Sequence, residues 1–210
     1  MKKLFVIGDS ISCYYGKHLE PMLAGRFSYD RKGGTHKLDN LDDGTDGVNG
    51  GDTSMVIAYL KEIGKVWKEK APDYLLLNCG LHDLKTALSP AGYQVPAEAY
   101  EANLHAILDS VRKFGIALIW VRTTPIVDLS PGIVPDDFMT IRANSDVIQY
   151  NAVADRVMSG AGVPIIDLYS FTCNLGPDLY FDRGVHFNEP TAAKQAAFIA
   201  GALWPMGEPK

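Results

Sequence analysis

The sequence predicts a doubly wound α/β domain built on a parallel sheet, and three observations carry that prediction. Short aliphatic runs recur between amphipathic stretches, which is the signal of repeated βαβ units. The runs are apolar throughout instead of alternating with polar residues, as strands covered on both faces must be. A chain of 210 residues, 47% apolar and 21% charged, can bury one sizeable core, so a single domain over residues 1–210 is expected.

In chain order, residues 3–7 read as the first strand, 74–78 as a buried one, 116–122 as another and 164–168 as the last clear one. A further strand is expected between Phe27 and Val48, where the sequence is too polar to place it. Helices are expected over residues 15–23, 54–69, 96–114, 145–158 and 189–203. Their apolar positions recur at three and four residues, as at Val147, Tyr150, Val153, Ala154 and Val157. Two segments exceed a minimal α/β core: residues 25–51, and residues 127–144 with Pro131-Gly132 and Pro135-Asp136-Asp137. Long loops of this kind tend to be functional, and ligands of open parallel sheets bind beyond the carboxyl ends of the strands.

Charge and composition narrow the function. The net charge is −5 and no basic run exceeds Lys2-Lys3, which argues against a nucleic-acid or anionic-membrane surface and for a small-molecule partner. Cys13, Cys79 and Cys173 are odd in number and far apart, so they are read as reduced thiols. The first apolar run stops at Gly8-Asp9-Ser10, too early for a secretory signal, and no apolar stretch approaches the roughly 18 residues of a membrane span. A cytoplasmic location and no membrane contact are therefore expected.

Four places after strands could carry chemistry. Gly8-Asp9-Ser10-Ile11-Ser12 sets a serine hydroxyl where the first strand turns into a helix, as a nucleophile or as a helix cap. The Gly-x-Ser-x-Gly pattern of α/β-hydrolases is absent, because Ser12 takes the place of its second glycine. Val48-Asn49-Gly50-Gly51-Asp52-Thr53-Ser54 is a glycine turn entering a helix, either facing an anion or simply capped by Asp52 or Thr53. Asn78-Cys79-Gly80-Leu81-His82-Asp83 puts a histidine at the sheet edge beside a carboxylate able to fix its tautomer; a structural histidine is the other reading. The loop from Tyr180 to Pro190 contains His186 and feeds the last helix. A serine hydroxyl needs an imidazole to take its proton and a third group to orient that imidazole, and His186 is the best candidate for the base.

Together these four segments resemble the SGNH (GDSL-type) hydrolases, esterases and lipases with four short sequence blocks in fixed order. The resemblance extends to Thr123-Thr124-Pro125, Gln149-Tyr150-Asn151 and Ile166-Asp167-Leu168, and so spans almost the whole chain. It implies a three-layer α/β/α flavodoxin-like fold with a mostly parallel five-stranded sheet. It also implies Ser10 as nucleophile, His186 as base, and an oxyanion hole from Ser10 and Gly51.

This chain departs from the family pattern twice. Where the family has Gly-x-Asn-Asp, it reads Gly80-Leu81-His82-Asp83, so His82 is expected to replace a carboxamide as oxyanion donor. A neutral imidazole can do so if its tautomer points its hydrogen inward. The family acid stands three residues before the base, where this chain has Arg183; Asp182, one residue earlier, is expected to orient His186. A Ser-His dyad and a carboxylate such as Asp178 are the alternatives.

The expected activity is hydrolysis of carboxylic esters through an acyl-serine, with short acyl groups such as acetyl on a sugar the simplest substrates and no cofactor or metal. The side chains of Ile126, Val127, Leu129, Ile133, Val134 and Phe138 could line an acyl groove. The rival reading is a degenerate module of the same fold that binds a carbohydrate or other polar ligand; a third is a phosphate or nucleotide binder. Two metal readings find little support. The acidic stretch from Asp39 to Asp46 lacks EF-hand spacing, and His18, His36 and His105 are scattered. The glycines after the first strand do not form a dinucleotide fingerprint.

Overall fold

Five strands form one sheet: β1 (Lys2–Ile7), β2 (Phe27–Arg31), β3 (Tyr74–Leu77), β4 (Ala117–Val121) and β5 (Ile165–Ile166). All neighbours are parallel and the order is β2-β1-β3-β4-β5. Among the described residues six α-helices connect and follow them: α1 (Ser10–Met22), α2 (Thr53–Lys70), α3 (Ala97–Lys113), α4 (Asn144–Gly160), α5 (Leu168–Cys173) and α6 (Glu189–Leu203). The computed structural model describes residues 1–35, 47–86, 92–128, 141–176 and 184–207.

Consecutive strand residues point to opposite faces, so a run buried at every position proves that both faces are covered. Leu4 to Ile7, Leu75 to Leu77 and Leu118 to Val121 are such runs. The helices supply the cover in two groups, α1 with α6 and α5, and α2 with α3 and α4. On one side of β1, Phe5 meets the rings of Tyr59 and Trp67 from α2. Among the described residues no helix is long and apolar enough to cross a membrane.

Three elements differ from expectation. Helix α1 begins at Ser10, five residues early, because the buried Asp9 carboxylate accepts the Ile11 N–H at 3.0 Å and caps it directly after the strand. The unplaced strand is β2, an edge strand of only five residues whose burial alternates, which is why Phe27-Ser28-Tyr29-Asp30-Arg31 shows no apolar run. The last strand shrinks to two residues because Asp167 accepts the Ser170 N–H at 3.1 Å and opens α5, a helix too short for its periodicity to announce it. The acidic stretch 39–46 and most of the expected acyl groove lie outside the described residues; of the groove, Ile126 is buried and Val127 exposed.

Two side-chain clamps hold the carboxyl edge of the sheet. Asn151 of α4 accepts the Thr123 N–H at 3.0 Å and donates to the Thr123 carbonyl at 2.9 Å, fixing the backbone just after β4. Asp83, fully buried, accepts the N–H (2.9 Å) and hydroxyl (2.5 Å) of Thr53, tying the loop after β3 to the start of α2. Burial pushes the Asp83 carboxyl up to about 7 against the opposing Thr53 hydrogen bonds, and burial likewise pushes Asp9 up to about 6.

Both carboxyls hold their proton more tightly folded than unfolded. Their contribution to stability is complete below about pH 4 and declines as pH rises through 6 and 7, each tenfold gain in proton affinity on folding being worth on the order of 1.4 kcal/mol. An Asp83→Asn variant keeps the acceptor for Thr53 but cannot ionise. Urea unfolding at pH 5 and pH 8 is expected to shift the stability difference in favour of the variant at the higher pH; a pH-independent difference refutes this account.

Candidate active site

The strand order reverses beside β1, with β2 on one side and β3 on the other, so the segments leaving β1 and β3 part and open a crevice at the carboxyl edge. Ser10 stands there as the first residue of α1, where a backbone N–H has no partner within the helix. The two sequence readings of Gly8-Asp9-Ser10 are divided between neighbours: Asp9 caps the helix, and the Ser10 hydroxyl turns to His186.

Across the crevice runs the Gly47–Asp52 segment. It is pinned to β1 by the Gly50 N–H on the Gly8 carbonyl at 2.8 Å. It is pinned to β2 and α1 by Arg31, buried, whose guanidinium donates to the carbonyls of Ser12 (2.9 Å) and Val48 (3.3 Å). Lys32, also buried, donates to the Gly47 carbonyl at 2.5 Å. The polar end of β2 that hides the strand in the sequence thus holds one wall of the site. Gly51 has φ +67°, a conformation that favours glycine, and a Cβ there would stand 2.5 Å from Met55 Sδ and force that side chain to shift. Its N–H donates to Asn49 Oδ1 at 2.9 Å. Asp52 caps α2, accepting from the N–H groups of Ser54 and Met55.

The third wall follows β3. The Cys79 carbonyl accepts from Tyr100 Oη and Thr123 Oγ1, each at 3.2 Å. Gly80 (φ +149°) packs so closely on Thr123 that a Cβ would lie 2.5 Å from its hydroxyl oxygen. The turn closes with the Leu84 N–H on the Gly80 carbonyl at 3.0 Å and leaves His82 only 9% exposed. Burial, then the Lys85 and Arg142 charges, push the His82 imidazole down to about 3, so it is neutral at ordinary pH. Asp83, which the sequence offers as the carboxylate to orient this ring, does not do so. Its bonded oxygen goes to Thr53, and the group at His82 Nδ1 is Lys85 Nζ, 3.0 Å away.

His186 arrives from the other end of the chain. Asn188 caps α6 by accepting the Thr191 N–H at 3.0 Å, and α6 packs along α1, with Lys17 bonded to Glu189 at 2.6 Å. The Gly184 carbonyl accepts the Val127 N–H at 2.9 Å, which anchors the approach to the histidine. Its Nε2 lies 2.9 Å from Ser10 Oγ, and the edge of its ring meets Tyr14 at a centroid distance of 5.4 Å.

Ser10, His82 and His186 line one pocket of about 250 Å³. Asn49, Lys85 and Arg142 add polar groups to its wall, and Leu81 and Val185 apolar ones. Sequence reasoning missed Asn49, Lys85 and Arg142 as members. Arg142 reaches the site because Ile141 and Thr86 exchange two backbone hydrogen bonds, and its Nε donates to the Leu81 carbonyl at 2.7 Å. The proposed acid Asp182, with Asp178 and Arg183, lies outside the described residues. Among the described residues no three His, Cys, Asp or Glu side chains gather as a metal site would, and Cys13, Cys79 and Cys173 are free thiols.

Comparison with known proteins agrees with this architecture. A comparison with curated sequences finds no match. Among solved structures, a GDSL-like lipase from Bacteroides thetaiotaomicron superposes with a TM-score of 0.69 at 13% identity, covering 98% of this chain and 89% of its own. A lipase/acylhydrolase from Enterococcus faecalis gives 0.69 at 18% identity, covering 100% and 99%. An acetyl xylan esterase gives 0.64 at 17%, covering 96% and 99%. At such low identity these structures establish the shared fold. The family assignment comes from the sequence itself, since the model of the GDSL-like lipase/acylhydrolase family matches residues 6–194. With nine-tenths of its length inside that match and its fold shared end to end, the chain belongs to the GDSL-like lipase/acylhydrolase family of carboxylic ester hydrolases.

Proposed function

We propose that this protein is a serine esterase acting on short-chain and acetyl esters, including O-acetylated carbohydrate, through an acyl-serine. The observation that carries the reading is the 2.9 Å separation of Ser10 Oγ and His186 Nε2, two atoms from residues 176 positions apart. His186 takes the Ser10 proton as the hydroxyl oxygen attacks the ester carbonyl. Charge then develops on the carbonyl oxygen, where the Ser10 N–H, the Gly51 N–H and the His82 ring receive it. The Gly51 hydrogen is shared with Asn49 Oδ1 at rest; a charged oxygen competes well for it, because charge-assisted hydrogen bonds are roughly twice as strong as neutral ones. His186 next protonates the departing alkoxide, releasing the alcohol, and then activates a water that hydrolyses the acyl-serine. Asp182 is the proposed partner of His186 on its other nitrogen.

The choice of a short acyl group rests on the pocket. A volume near 250 Å³ with a partly polar wall lies below the roughly 300–1,000 Å³ of sites for drug-sized ligands, and an acetyl group fits it. The likeness to an acetyl xylan esterase is in keeping with this choice.

Three outcomes are expected. A fluorophosphonate probe labels the wild type at Ser10 and leaves Ser10→Ala unmodified; a folded wild type that resists the probe sinks the hydrolase reading. His82→Ala lowers kcat by ~10²–10³, the usual loss for one oxyanion donor, without a matching loss of thermal stability, and His82→Asn regains much of it. In a panel of nitrophenyl esters run beside acetylated sugars, acetate and butyrate turn over faster than octanoate and longer chains; rates that climb with chain length contradict the short-acyl assignment.

A further inference from the structure

Resting on the reading of His82 as an oxyanion donor, we propose that Lys85 is a positioning residue for the reaction: its ammonium, 3.0 Å from His82 Nδ1, holds the imidazole in the Nε2–H tautomer that can donate to the oxyanion. An ammonium has three hydrogens to give and no lone pair to accept with. The nitrogen facing it must therefore be the acceptor, and the single hydrogen of a neutral imidazole is left on Nε2.

The chemistry explains why a cation, and not a carboxylate, stands behind this ring. A carboxylate at Nδ1 would draw the hydrogen to that side and leave a bare lone pair on Nε2, which repels a developing oxyanion. His186 needs the opposite arrangement, a lone pair on Nε2 toward the Ser10 hydroxyl, and so calls for an acceptor on its far side. Two imidazoles in one pocket thus require opposite tautomers and partners of opposite charge. A carboxamide has its N–H hydrogens in every state, so an asparagine at this place has no need of such a partner. The need arises with the histidine, and Lys85 stands three residues beyond it on the same turn.

The backbone holds Lys85 for the task. Its N–H donates to the His82 carbonyl at 3.3 Å, its carbonyl accepts the Gln94 N–H at 2.7 Å, and the next residue, Thr86, is paired with both Tyr93 and Ile141. Burial, then this charge and that of Arg142, oppose protonation of His82 and keep it neutral, while Asp52 pulls the other way.

The test is a double-mutant cycle on kcat with nitrophenyl acetate, using the whole protein. Lys85→Met is expected to lower kcat about tenfold to a hundredfold with KM changed less than about threefold, the scale on which partners that orient a functional histidine act. In a His82→Asn background the same substitution is expected to change kcat by less than about threefold, because a carboxamide has no tautomer to lose. An equal loss in both backgrounds assigns Lys85 a direct electrostatic contact and overturns the positioning role. Nitrogen-15 NMR of the wild type supplies a readout independent of variant folding: a protonated Nε2 and an unprotonated Nδ1 for His82 are expected, and the reverse refutes the proposal. Failure here is separable from failure of the oxyanion reading. A crippled His82→Ala beside an unaffected Lys85→Met rejects this inference alone, whereas an unaffected His82→Ala rejects both.

Discussion

All five strands run the same way, so every loop that leaves a carboxyl end emerges along one edge, and the reversal of strand order beside β1 parts two of those loops into a crevice. The rest of the site depends on that constraint. Ser10 follows β1, the Asn49–Gly51 turn follows the β2 crossover, and His82 follows β3, so three separate stretches reach the same crevice without any of them being near the others in sequence. His186 is added by a helix packed along α1, the same helix that begins with Ser10. The meeting of Ser10 and His186 therefore follows from the packing of α6 on α1 and from the Val127–Gly184 backbone bond that anchors the approach to the histidine.

The cost of this convergence is visible in the charges it buries. Asp9, Arg31, Lys32, Asp52 and Asp83 are all withdrawn from water at the same edge, each serving as a cap or a clamp on backbone. Burial of an ionisable group without a full set of partners is unfavourable, and Asp9 and Asp83 meet that penalty by retaining their protons into the range of pH 6 to 7. Stability is given up at the edge where the candidate site is held together. The helices and strands behind the edge, with their continuous aliphatic core, supply the surplus that offsets it.

In the proposed mechanism an imidazole stands where a carboxamide would serve, and that is more than a change of donor. An amide is always a donor, whereas a ring that can carry its hydrogen on either nitrogen, or on both, acquires a defined role only from its neighbours. Burial, then the Lys85 and Arg142 charges, keep His82 neutral, and the residue that faces its Nδ1 can only donate. The same pocket holds a second imidazole, at His186, which the proposed mechanism uses as a base. In that mechanism the two chemically identical groups take opposite roles, and the proposed partner on each one's far nitrogen sets which role it takes.

The sequence by itself determined whatever is encoded locally. The buried strands β1, β3 and β4 read as aliphatic runs, the long helices α2, α3, α4 and α6 as periodic patterns, and the Gly8-Asp9-Ser10, Gly51-Asp52-Thr53 and Val185-His186 blocks as residues placed just beyond strands or ahead of a helix. It was silent wherever a residue's role depends on a partner far along the chain. Strand β2 was expected between Phe27 and Val48 but could not be placed, because its Arg31 and the adjoining Lys32 are spent on the carbonyls of Ser12, Gly47 and Val48. Asp83 looks like the natural partner of the adjacent His82, but backbone direction turns it to Thr53, thirty residues away, and leaves the ring to Lys85. Arg142 joins the pocket only because a backbone pairing brings Ile141 beside Thr86. Periodicity and turn chemistry act over a few residues and can be read in one dimension; hydrogen bonds between side chains dozens of positions apart exist only after the sheet has set the distances.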